Sequence, residues 1–347
     1  MDESNNNMII DTSVTTNVNA NTNVNANTNV NANTNVNANT NTNVTTPDQI
    51  EKHPEINNNK TIDQEIESVL KRSGSKLKEI LVLSGGATKG SAQLGALHCL
   101  KKHNMLNNIK TIAGTSVGAM IGMLYCAGYR PMELFKFIKL LNMENVKSIK
   151  IPNFLIEYGL DDGSRMMLIF IKLMGTKGFD QNITFKEFYK ISKIKLIVTG
   201  ACINDKKIYY FSHETYPEMK VIDAVRISMS VPIIFTPCTF DGKMFVDGAC
   251  IDNFPINLFK HEIEKVIGIY VADSYPIVKK IDSLESYLVN MIRCIMEGMS
   301  HHDMKMYGRY IITIKCANCT ESTTDLMSMF DEGYDSAQKK IDTNDFM

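Results

Sequence analysis

From about residue 79 onward, short apolar runs that end in small residues alternate with longer stretches spaced for one helical face. "EILVLSG" (79–85) is too short for a helix and closes on glycine, which predicts a buried strand. Residues 89–103 read as a helix, "IKTIAG" (109–114) as a second strand, and 117–127 as the next helix. Gly128 closes that helix and Pro131 starts another, the usual placement of the two residues. A helical, lid-like region is predicted over 131–190, followed by "IKLIVTGACI" and "KIYYFS" as a pair of strands. Residues 219–229 predict a helix, "KMFVDGA" a strand running into a turn, and "KVIGIYVAD" (265–273) another buried strand. Strand and helix in alternation specify an α/β fold.

Two segments depart from this rhythm. A helix predicted over 283–306 gathers Leu284, Leu288, Met291, Ile292, Ile295, Met296 and Met299 on one face. Its other face carries Glu285, Asn290, Arg293 and Glu297 rather than many cations, so the stripe is expected to pack on the core, not on a membrane surface. At the other end, residues 17–40 are four copies of "NVNANT". That pattern offers no apolar face to offset chain entropy, so residues 1–75 are expected to be a disordered, low-complexity Asn-rich tail, with one short helix near 62–72. The folded part is expected as a domain over 79–273 and a helical extension over 274–347 packed on it.

Charge narrows the function. The 347 residues carry a formal net charge of −1 with both signs dispersed, which argues against a nucleic-acid partner, since that would need a basic stripe. Eight irregularly spaced cysteines suggest free thiols in a reducing, cytoplasmic setting rather than a disulfide framework. Cys316 and Cys319 form a lone C-x-x-C without a second pair, too little to predict a metal site. No signal peptide and no apolar run long enough to span a bilayer is expected.

Three short motifs carry the chemistry, each at the end of an apolar strand. In "TIAGTSVGAM" (111–120), Gly114 and Gly118 flank Ser116 in the G-x-S-x-G pattern that lifts a serine hydroxyl out of a sharp strand-to-helix turn. Ser116 is also well suited to cap the helix that starts there. In "LSGGATKGSAQLGAL" (83–97), Gly85, Gly86 and Gly90 let backbone N–H groups converge at a helix N-terminus, a site for phosphate or for an oxyanion. The order Lys89-Gly90-Ser91 rules out the phosphate-binding G-K-[ST] motif, and Ala87 stands where a dinucleotide fingerprint needs glycine. In "FVDGAC" (245–250), Asp247 ends a strand before Gly248 and Ala249, which is a catalytic carboxylate or an ordinary Asp-Gly turn.

Together and in this order, the motifs resemble the patatin-like phospholipases, lipid acyl hydrolases with a Ser–Asp dyad. "DAVRISMSVPIIFTP" (223–237) and "NFPINLF" (253–259) are similar to the segments on either side of that family's aspartate, so the resemblance covers about 79–273. It implies a three-layer sandwich, a mostly parallel central sheet with helices on both faces. It implies Ser116 as nucleophile, Asp247 as its base, and an oxyanion hole from Gly85, Gly86, Ala87, Lys89 and Gly90, with Ala87 replacing the family's third glycine. It further implies a glycerolipid or phospholipid substrate, peripheral membrane contact, and no metal or cofactor. With a carboxylate pKa near 4, Asp247 would be a weak base, leaving most of the rate to placement and oxyanion stabilisation. Two alternatives stand beside it: a Ser-Asp-His triad using His261, His301 or His302, and a catalytically silent lipid-binding adaptor.

Overall fold

The structure is a computed structural model that describes residues 77–86, 89–140, 156–272, 280–283, 286–288, 290–292, 294, 305–316 and 326–343. The repeats, the helix near 62–72, Ala87, Cys319, His301 and His302 lie outside the described residues.

The first strands are the buried apolar runs. Strand β1 (Ile80–Leu83) leads to helix α1 (Gly90–Lys102), then β2 (Thr111–Gly114) to α2 (Val117–Cys126) and α3 (Pro131–Leu140). A short β3 (Gly159–Asp161) precedes α4 (Ser164–Thr176) and α5 (Phe185–Ser192). Thr184 and Glu187 close a reciprocal capping box at the start of α5. The hairpin β4 (Lys195–Cys202) and β5 (Lys207–Phe211) follows, then α6 (Val221–Ser228), β6 (Ile233–Phe235), β7 (Cys238–Phe240), β8 (Lys243–Asp247) and β9 (Val266–Ala272). Strand β10 (Ile311–Lys315) and helix α7 (Leu326–Asp342) complete the chain.

The main sheet has the order β10-β9-β1-β2-β4-β8-β7, with β5 also on β4. The first five of these strands run parallel. Both faces of the sheet are covered, which is why its central strands read as continuous apolar runs. Leu81 and Leu83 point into the larger core beneath α1 and α2, while Ile80 and Val82 point into a second core with Phe254, Ile256 and Phe259. The described layer over that second face is built from 3-10 turns, chiefly Pro255–Phe259.

Residues 274–347 differ from the expected helical extension. Strand β10 joins the central sheet parallel to β9, and α7 lies across α1 at backbone contact. A Cβ on Gly95 would sit 1.8 Å from the Phe330 carbonyl oxygen, and one on Gly333 would sit 1.9 Å from that of Ala92. Only glycine fits at either crossing, so this end of the chain is part of the domain. Gly333→Ala is accordingly expected to destabilise the protein by about 3 kcal/mol, and urea unfolding that stays within about 0.5 kcal/mol of wild type would contradict it.

In the described parts of the 131–190 region, Leu134, Phe135, Phe170, Leu173, Phe185 and Phe188 are buried in the main core, so those helices belong to the body of the domain; residues 141–155 lie outside the described residues. Along the segment predicted as helix 283–306, residues 286–288, 290–292 and 294 are helical. Met291, assigned to the core-facing stripe, is exposed there, as is Tyr287.

Candidate active site

The strand registers bring two distant motifs together. Strand β2 pairs with the first half of β4, Gly114 opposite Val198, and β8 pairs antiparallel with the second half, Asp247 opposite Gly200. Strand β5 spans Val198 to Cys202 on β4's other edge, so β2 and β8 must share one edge. They run toward each other along it and stop two residues apart, about 6–7 Å at the rise of a strand. Ser116 follows the end of one and Asp247 is the end of the other.

The turn at Ser116 is strained. Its backbone has φ 54° and ψ −122°, far from what an L-residue adopts freely. The glycines make room for the bend: a Cβ on Gly114 would lie 2.5 Å from the Gly118 carbonyl carbon, and one on Gly118 would lie 2.5 Å from the Ser84 oxygen. The Ser116 hydroxyl does not cap α2, which removes the simple N-cap explanation of the residue. Its amide is held instead, donating to Ser228 Oγ at 2.9 Å. Thr199 Oγ1 donates to Thr115 Oγ1 at 2.8 Å, and Thr115 Oγ1 to the Asp252 carbonyl at 3.0 Å.

Asp247 is fully buried and caps its own turn. Oδ1 accepts the Ala249 N–H at 2.9 Å, and the Asp247 amide donates to the Ser230 carbonyl at 2.9 Å. Gly248 is required at the bend, since a Cβ there would lie 2.1 Å from Thr199 Oγ1. The turn occupies one carboxylate oxygen and leaves the other, Oδ2, buried with no hydrogen-bond partner. Burial pushes the carboxyl up to about 7, opposed by the Ala249 N–H and by the nearby Ser116 hydroxyl. That hydroxyl is thus close enough to be felt by the carboxylate, while no closed hydrogen bond joins them.

The glycine loop differs from expectation at two positions. The Gly85 N–H donates to the Asn253 carbonyl at 3.0 Å, and the Lys89 N–H to the Gly86 carbonyl at 2.9 Å, so neither amide is available to an oxyanion. Lys89 is buried. Gly90 admits the start of α1 against α2, its missing Cβ falling 2.6 Å from Val117 Cγ2. Among the described loop residues, Gly86 keeps an amide that meets no described acceptor.

The sequence reading missed the residues that stitch these motifs together. The Asp252 amide donates to the Gly248 carbonyl at 2.8 Å, its carbonyl takes the Thr115 hydroxyl, and the next carbonyl takes Gly85. One short segment, 252–253, therefore ties the aspartate turn, the serine turn and the glycine loop. Ser228, inside the 223–237 segment, and Thr199 on β4 complete the support, and no motif assigns either hydroxyl this role. His261 is exposed and precedes β9, which runs parallel to β1, so it lies toward the end of the strands opposite to the one where β1 and β2 stop. Among the described residues no histidine hydrogen-bonds Asp247.

The profile of the patatin-like phospholipase family matches residues 81–260, the span that contains all three motifs. The chain belongs to the patatin-like phospholipase family. A probable lipid hydrolase of Invertebrate iridescent virus 6 is 36% identical over 189 residues, 53% of this chain and 63% of that protein. The chain thus spans less than two thirds of that relative. A lysophospholipase of Candida albicans is 24% identical over 193 residues, 55% of this chain but 13% of that much longer protein. The crystal structure of VipD from Legionella pneumophila superposes with a TM-score of 0.53 at 15% identity, covering 77% of this chain and 67% of that one. That likeness concerns the fold alone, and it includes most of the patatin-like domain described above.

Proposed function

We propose that this protein is a lipid acyl hydrolase that cleaves carboxylic ester bonds of glycerolipids, with Ser116 as nucleophile and Asp247 as base. One observation carries the reading. A strained serine whose hydroxyl is spared from helix capping faces a fully buried carboxylate with one unpartnered oxygen. Family membership supplies the substrate class.

The chemistry follows from those atoms. Ser116 Oγ attacks the ester carbonyl while its proton passes to Asp247 Oδ2, and the carbonyl oxygen becomes an oxyanion. As the tetrahedral intermediate collapses, the leaving alcohol takes the proton from Asp247 and the acyl group stays on Ser116. Water then attacks this acyl-enzyme, again losing its proton to Asp247, and the fatty acid departs as the proton returns to Ser116. Neither step requires a metal or a cofactor. With its carboxyl pushed up to about 7, Asp247 is a stronger base than an ordinary carboxylate, which moves part of the catalytic burden onto it. A glycerolipid substrate places the site at a bilayer surface, so peripheral membrane contact belongs to the same proposal. No described helix is long and apolar enough to cross a membrane.

The test is to incubate the full chain with mixed phospholipid and lysophospholipid vesicles and with a long-chain fluorophosphonate. Fatty acid release is expected, and the fluorophosphonate should add its mass to the peptide containing Ser116. Neither release nor labelling would end the hydrolase reading.

A further inference from the structure

The loop has lost the Gly85 and Lys89 amides to backbone carbonyls, and a side chain stands beside Gly85. The point where a Gly85 Cβ would sit is 2.3 Å from Asn253 Oδ1 and 3.5 Å from Ser116 Cβ, so the carboxamide lies next to the nucleophile. Asn253 Oδ1 is buried and accepts no hydrogen bond. Its backbone is fixed independently, through the carbonyl that takes the Gly85 N–H. A buried amide oxygen without a partner costs free energy, and such a group calls for an explanation. Among the described residues none holds either end of this carboxamide. Turning it by half a revolution exchanges oxygen for nitrogen at almost no change in shape, and presents an N–H where Oδ1 now lies.

We propose that Asn253 is a catalytic residue whose side-chain Nδ2–H donates to the substrate oxyanion, replacing the donor that Gly85 commits to the Asn253 carbonyl. The inference rests on the hydrolase reading above and adds a residue to it. It also accounts for glycine at 85: any side chain there would occupy the space the carboxamide uses. No proton is transferred in this role. The N–H shortens its contact as negative charge builds on the ester oxygen, and lengthens it as the carbonyl re-forms. A donor of this sort acts in the transition state, so it raises kcat and leaves substrate binding nearly unchanged.

The test compares wild type with Asn253→Ala and Asn253→Asp on a soluble ester. Each variant is also titrated with a long-chain trifluoromethyl ketone, which Ser116 would convert to a tetrahedral oxyanion. For Asn253→Ala, kcat is expected to fall about 100-fold with KM within about threefold, and affinity for the ketone to fall by the same factor. Asn253→Asp keeps the shape but offers an acceptor instead of a donor, so it should lose at least as much. A merely structural asparagine would move ketone affinity and KM together, or neither. Either variant folded and within about threefold of wild type in kcat overturns the proposal. Should both fail to fold, wild type with nitrogen-15 asparagine decides: ketone binding must shift one carboxamide N–H resonance downfield, and no shift overturns it. If wild type hydrolyses esters and Asn253→Ala matches it, only this inference falls. If wild type hydrolyses nothing and forms no ketone adduct, the hydrolase reading falls first.

Discussion

Ser116→Ala is expected to lower kcat for ester hydrolysis by about 10⁵-fold, and adding Asp247→Ala to it should cost almost nothing further. On the proposed mechanism the two groups act as one unit: a base with no hydroxyl to deprotonate has no work to do. Asp247→Ala alone should therefore lose a comparable factor, and the double variant should stay within a few-fold of the serine variant. If the losses add instead, the two side chains act independently and the dyad is wrong. Stability separates this from misfolding. The Ser116 hydroxyl makes no capping bond, so alanine should unfold within about 0.5 kcal/mol of wild type. Ser116→Gly should be more stable by about 1 kcal/mol, because φ 54° is strained for any residue with a Cβ and relaxed for glycine. A protein that keeps a strained serine where glycine would fit better keeps it for its hydroxyl.

Much of this site was legible in the sequence because each motif is local. A glycine pair around a serine, or an aspartate before glycine, records a backbone bend within a few residues, and the buried parallel strands betray themselves as unbroken apolar runs. What could not be read is register. Nothing in "KMFVDGA" says that β8 runs antiparallel on the same edge of β4 as β2, and that single fact brings Asp247 to Ser116. Ser228, Thr199 and Thr115 were invisible for the same reason, since a hydroxyl network between strand, helix and turn leaves no spacing signature. Asn253 lies inside the 253–259 segment that resembles the family, but its side chain acquires meaning only beside Gly85. The end of the chain was misread differently. β10 looks like an isolated apolar run after a polar stretch, and only its pairing with β9 makes it part of the sheet. Gly333 in a helix suggests weakness by propensity alone, while the crossing with α1 makes it a requirement.

Activity should rise about tenfold per pH unit up to roughly pH 7 and level off above it, because the proposed base, Asp247, can take a proton only when ionised. The same ionisation must act on stability with the opposite sign. In the unfolded chain the carboxyl titrates near its ordinary value of 3.8, whereas burial holds it at about 7 in the fold. Between those values the folded state binds a proton that the unfolded state has lost, so stability falls as pH rises through this window. The contribution is fully present below the unfolded pKa and gone above the folded one, a swing on the order of 4 kcal/mol for three pH units. Asp247→Asn removes the charge while its Oδ1 can still accept the Ala249 N–H, so it should escape that penalty. Urea unfolding should then find the stability of the variant relative to wild type about 3 kcal/mol higher at pH 8 than at pH 5, with ester hydrolysis lost at both. An offset that is the same at the two pH values would mean that Asp247 does not ionise in this range, and the pH–rate profile would lose its explanation with it. The buried carboxylate is thus a place where the fold gives up stability at neutral pH, and on the proposed mechanism the proton that leaves Ser116 is the reason to keep it there.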